Sequence, residues 1–167
     1  MAEEIINRVA NSKLVVFDLE DFYPEGKRVV FDIKDWLYEG FVLREKDFRE
    51  QVKNYIWSQH ENQYVALTCS TDAIVPAWAF MLITLQLQPY TKKTVLGSLE
   101  ALETEIYQEI IANLDTSTYK DKPVIIKGCS KKPVPNSALI MLSNKLKPVV
   151  KSILFGEACS SVPLYKR

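Results

Sequence analysis

The residues of this chain best suited to chemistry are its three cysteines, and each opens a Cys-Ser element that reaches a proline within a few positions. They are Cys69-Ser-Thr-Asp-Ala-Ile-Val-Pro76, Cys129-Ser-Lys-Lys-Pro-Val-Pro135 and Cys159-Ser-Ser-Val-Pro163. A thiolate is both a nucleophile and a ligand for soft or borderline metals. Three readings follow. In the first, Cys69, Cys129 and Cys159 gather zinc or iron, with Asp72, His60 or a water as fourth ligand. The neighbouring hydroxyls of Ser70, Ser130 and Ser160 are then candidate ligand-binding groups. No Cys-x-x-Cys pair is present, so the usual signature of a structural zinc site is missing. In the second reading Cys69 is a catalytic nucleophile. A strand-end loop that opens a helix offers N–H donors, which lower a thiol pKa and build an oxyanion hole. The chain's one histidine, His60, would be its base, although its Gln-His-Glu-Asn setting reads as a solvated loop. In the third reading the thiols are inert packing residues of an interaction module.

Other charged features read as hydrated surface. Asp18, Glu20, Asp21, Asp32 and Asp35 form an acidic cluster that could take a hard cation. Lys131 and Lys132 follow Cys129 and could meet an anion at a helix start, with solvated lysines as the plainer alternative. There is no Walker motif, no Gly-x-Gly-x-x-Gly, no His-Glu-x-x-His and no Gly-x-Ser-x-Gly. Five glycines leave no room for a glycine-rich loop, so no nucleotide cofactor is expected.

These residues need a scaffold, and the composition supplies one. A chain of 167 residues with 47% hydrophobic and 25% charged content can bury a core without disulfides. Basic and acidic residues balance at 21 each, which argues against a general nucleic-acid binder. The acidic Met1-Ala-Glu-Glu4 start does not resemble a signal peptide, and the most apolar window, Ile74 to Leu87, is too short to span a bilayer. A cytoplasmic protein with no membrane partner and no disulfides is expected.

From residue 63 the chain alternates. Gln63–Thr68, Lys93–Leu96, Pro123–Lys127 and Lys151–Phe155 read as strands, the last closing the sheet. Between them, 76–88, 98–113 and 136–147 read as helices, the first apolar nearly all round and so predicted to be deeply buried. This spacing is that of βαβ units. It predicts an α/β fold with a largely parallel sheet, helices on both faces, and all strand C-termini along one rim. Before it lies a near-repeat, Val15-Val-Phe-Asp-Leu-Glu-Asp-Phe22 and Val29-Val-Phe-Asp-Ile-Lys-Asp-Trp36. It predicts either a hairpin or a strand followed by a short helix from Ile33, with an amphipathic helix over 46–57 beyond it. One domain is expected, 1–167, in which 1–62 flank a βα-repeat core over 63–167.

Several segments resemble a bacterial family catalogued as domain of unknown function 2480, over nearly the whole length. They are Asn7-Arg-Val-Ala10, Val30-Phe-Asp-Ile-Lys-Asp35, Cys69-Ser-x-Asp-Ala-Ile74 through Pro76-x-Trp78-Ala79, Lys127-Gly-Cys-Ser130 and Cys159-Ser…Val162-Pro-Leu-Tyr165. The resemblance transfers no activity. It implies a gene setting near iron–sulfur cluster assembly, hence a possible protein partner there, and favours cysteines that act as ligands.

Overall fold

The computed structural model describes residues 13–128 and 130–167; Asn7–Ala10 and Cys129 lie outside them. In chain order the elements are β1 (Val15–Phe17), β2 (Arg28–Asp32), α1 (Glu45–Asn54), β3 (Tyr64–Thr68), α2 (Ala77–Leu87), β4 (Lys93–Leu96), α3 (Leu99–Ala112), β5 (Pro123–Ile126), α4 (Asn136–Leu146), β6 (Ser152–Glu157) and β7 (Ser160–Lys166). The fold is α/β and largely parallel, with its strands in two sheets ordered β2-β3-β4 and β1-β5-β6-β7.

The chain divides into two compact units. Pro24–Glu105 form one, here the inner unit; β1 and its following turn, together with Ile106–Arg167, form the outer one. The inner unit is thus inserted in the chain of the outer unit, and the boundary falls inside α3.

The two units follow one plan, which explains the near-repeat. Both Val-Phe-Asp segments are strands stopped by their aspartate, because the carboxylate prefers to cap the next turn. Asp18 Oδ1 accepts the Glu20 N–H at 2.9 Å and opens the 3-10 turn Leu19–Phe22. Asp32 Oδ1 accepts the Lys34 N–H at 3.1 Å and opens Ile33–Trp36. The strand-and-short-helix alternative is therefore the one adopted, twice. Each first strand pairs in parallel with a second, β1 with β5 and β2 with β3, and each second strand with a third, β6 or β4.

Finer marks repeat too. Asn62 and Asp121, before β3 and β5, both take positive φ, 60° and 57°. Thr91 N–H donates to the Leu87 carbonyl, and Val150 N–H to that of Leu146, both at 3.0 Å. Gly97, just after β4, and Gly156, near the end of β6, take φ 140° and 117°, a region that side chains rarely tolerate.

Packing repeats the plan at lower resolution. In the inner core Val65 and Leu67 of β3 meet Phe48 and Val52 of α1 and Ala79, Ile83 and Leu87 of α2. Both helices thus lie on one face, as right-handed crossovers require when strands are added in one direction. In the outer core Val124 and Ile126 meet Tyr107 and Ile111 of α3 and Ala138, Leu142 and Leu146 of α4. The two Ala-x-x-x-Ile/Leu-x-x-x-Leu stripes are fully buried at every position.

Two expectations are corrected. The helix over 76–88 is not deeply buried all round: Met81 and Leu85 are each 63% exposed and, with Leu96 at 61%, edge an apolar groove of about 410 Å³. Its fully buried stripe is Ala79, Ile83 and Leu87, with Trp78, Phe80 and Leu82 partly buried beside it. Nor is Lys151–Phe155 the last strand. β7 folds back antiparallel on β6, pairing Glu157 with Ser160 and Ser152 with Lys166. Its Pro163 masks the strand in the sequence, yet a proline is tolerated at a sheet edge where no neighbour needs its N–H.

Candidate functional site

Ligands of open α/β sheets gather at the carboxyl ends of the strands, and the two units treat that rim differently. In the inner unit hydrogen bonds link the loops beyond the strand ends. Asp32, having capped its turn, also accepts the Ser70 N–H at 3.1 Å. The Thr71 hydroxyl donates to the Gly40 carbonyl at 2.9 Å, so its oxygen is left to accept the Cys69 thiol at 3.4 Å. Cys69 is half-buried against the inner core.

Burial alone would raise the Asp32 carboxyl. Hydrogen bonds from the Ser70 hydroxyl and from the Lys34 and Ser70 amides, with the Lys34 charge, hold it below its ordinary 3.8. A depressed carboxyl contributes stability that is present above its unfolded pKa and lost as pH falls through the lower folded value. Asp32→Ala should therefore cost about 0.5–2 kcal/mol near neutrality, from the lost cap, since the exposed Ser70 amide is taken up by water. Denaturant midpoints of the two proteins should converge as the pH is taken below 3.8.

In the outer unit the same rim is open. A cavity of about 480 Å³ lies beyond β1 and β5, lined by Asp18, Glu20, Asp21, Lys127, Ser130, Lys131 and Lys132. A smaller recess of about 70 Å³ shares Asp18, Glu20, Lys127 and Ser130 and reaches to Asn136 and Leu139 of α4. Asp18 serves twice: one oxygen caps its turn, and Oδ2 takes the Lys127 ammonium at 2.9 Å. That bond and the charge beside it raise the Lys127 pKa, so the lysine stays protonated. Glu20 reaches across to the loop after β5, where its Oε2 accepts the Lys131 N–H at 2.9 Å and stands 3.2 Å from the Ser130 hydroxyl. The Ser130 Oγ also accepts the Lys132 N–H at 3.1 Å and lies 2.8 Å from the Lys132 carbonyl. The Lys132 ammonium sits 5.4 Å from the centre of the Tyr23 ring.

The residues singled out by sequence fall in both units. Cys69, Ser70, Asp72 and His60 belong to the inner one, Ser130, Cys159 and Ser160 to the outer one. The strands that precede these residues belong to two sheets. Asp72 and Ser70 are exposed; Cys159 is exposed in the turn between β6 and β7, beside Ser160, the first residue of β7. Among the described residues no three His, Cys, Asp or Glu side chains come together as a metal centre.

His60 is not in a solvated loop. It is buried among Phe31 and Tyr55 with both ring nitrogens engaged. Because the Gln63 amide nitrogen donates to the Gln59 carbonyl, its Oε1 is an acceptor and takes the His60 Nδ1–H at 3.0 Å. Nε2 lies 2.7 Å from the Tyr55 hydroxyl, within hydrogen-bonding distance.

The cavity residues were visible in the sequence as part of an acidic cluster, a lysine pair and the candidate ligand-binding hydroxyl of Ser130, whereas Lys127 did not stand out. The near-repeat was their signal: it set Asp18 and Glu20 where Asp32 and Lys34 stand, at the end of a first strand.

The fold and this rim define a class: a twice-used α/β module of three parallel strands, extended in the outer unit by an antiparallel fourth and carrying there a charged cavity at the strand ends. Residues 3–167 match the model of a family described as Protein of unknown function (DUF2480). The chain belongs to that family. Neither a curated protein nor a solved structure matches it. Among the described residues no helix is long and apolar enough to cross a membrane.

Proposed function

We propose that this protein binds a small polar molecule in the outer-unit cavity, acting in the cytoplasm as a binding or accessory protein. One observation carries the reading: the strand ends of the outer unit open into about 480 Å³ of charged space. That volume suits a metabolite-sized ligand, and the mix of lysines, carboxylates and a hydroxyl suits a polar one. Amide NMR of isotopically labelled protein, titrated with oxyanionic, cationic and neutral small molecules, tests it. Signals of Glu20, Lys127, Lys131 and Lys132 should shift together for one class. Shifts confined to Ala77–Leu85, or none for any class, would overturn the reading.

A second reading keeps the thiols as ligands for zinc or iron, in the setting of iron–sulfur cluster assembly. It is favoured by the Cys-Ser pair that follows the second strand in the sequence of both units. Zinc(II) and iron(II) in the same titration read it out, through the signals of Ser70 and Ser130.

A further inference from the structure

Resting on that reading of the cavity, we infer that its ligand carries an oxyanion, a phosphate or carboxylate group, which displaces the Glu20 carboxylate from the loop after β5. The structure already holds one oxyanion there, supplied by the chain. Glu20 Oε2 takes the Lys131 N–H at 2.9 Å, beside the Ser130 hydroxyl at 3.2 Å. The hydroxyl has a single proton, and the Lys132 carbonyl at 2.8 Å is its nearer acceptor. Glu20 is therefore held by one full donor and the surrounding charge, a tether that a ligand can replace.

The charges say which ligand. Lys127, Lys131 and Lys132 face Asp18, Glu20 and Asp21 around the cavity. Asp18 is committed to Lys127 and to its own turn. When Glu20 swings out, the Lys131 amide loses its acceptor, in a cavity whose lining also includes Lys131 and Lys132. An incoming oxyanion restores the balance, whereas a cation would meet uncompensated lysines. A phosphate, with more acceptor oxygens than a carboxylate, can also use the Lys132 ammonium. Glu20 thereby acts as an internal competitor, a carboxylate that keeps the donors satisfied until the ligand arrives.

Inorganic phosphate, acetate, methylammonium and glucose, titrated into the full chain against a sodium chloride control, give the test by amide NMR. Phosphate or acetate should shift the Lys131 and Lys132 signals, and which one does so more strongly identifies the group. Glu20→Ala should bind that oxyanion about tenfold more tightly, and Glu20→Gln by a smaller factor, because each removes a charged competitor. Ser130→Ala, which keeps Glu20, should not strengthen binding. Unchanged oxyanion affinity in both Glu20 variants overturns the inference, as does equal response to chloride. Binding of methylammonium or glucose at the cavity without oxyanion binding overturns the inference and leaves the ligand-binding reading standing. No response of cavity residues to any probe removes both.

Discussion

Glu103→Ala should destabilise the inner unit by about 3–5 kcal/mol, the cost of breaking a buried ion pair from one side. Arg28 and Glu103 side chains are only 10% and 5% exposed, with Nε to Oε1 at 2.7 Å and the second arm at 3.4 Å. The guanidinium also donates to the Pro24 and Gly26 carbonyls at 2.7 Å each and lies 4.6 Å from the centre of the Tyr64 ring. It is thus fixed from several sides and cannot swing into water when its carboxylate is removed. Glu103→Gln, which keeps an acceptor but no charge, should fall between wild type and alanine. Replacing both Arg28 and Glu103 by apolar residues of similar size should cost less than Glu103→Ala, because no charge is left stranded. Urea midpoints for the four proteins give the order directly.

Ile83→Ala and Leu142→Ala should each cost about 2–5 kcal/mol, since both remove a fully buried side chain at matching places in two cores. Their optical signatures should differ. All three tryptophans, Trp36, Trp57 and Trp78, belong to the aromatic cluster around Phe31 and Phe48 of the inner unit. Tryptophan emission therefore follows that unit, while far-UV circular dichroism follows both. The emission midpoint should move by the full cost in Ile83→Ala and by less in Leu142→Ala, with dichroism registering both losses. Equal displacement of the emission midpoint by the two substitutions would show that the cores unfold as one.

Much of this fold was legible in the sequence because its signals are local. Pro76 and the Val-Pro before Asn136 mark helix starts, and Ser98 caps α3 by accepting the Ala101 N–H at 3.2 Å. The strands β3, β4, β5 and β6 declare themselves by β-branched runs between turn residues. What the sequence concealed was long-range. The Val-Phe-Asp repeat invites pairing of neighbours, yet β1 and β2 choose partners in different sheets. Nothing between Tyr23 and Arg28 marks that choice, because it is made by β5 far downstream. The cysteines stood out by chemistry alone, whereas the cavity depends on where Asp18 and Glu20 meet a lysine loop 109 and 111 positions away. Charges read one by one look like solvated surface; only the pairing of β1 with β5 turns them into a lining.

The insertion of one unit within the other also orders events in time. A ribosome releases the inner unit whole, from β2 through β4, before β5 has been made. That unit can therefore assemble while the chain is still growing, as domains commonly do. β1 must meanwhile wait, its aspartate without a lysine and its edge without a neighbour, until the last third of the chain emerges. A folded insert shortens that wait in space: it replaces a long flexible loop with a compact body whose ends are fixed, and so reduces the entropy lost when β1 meets β5. The ligand cavity, built on that final pairing, is then among the last parts of the protein to exist.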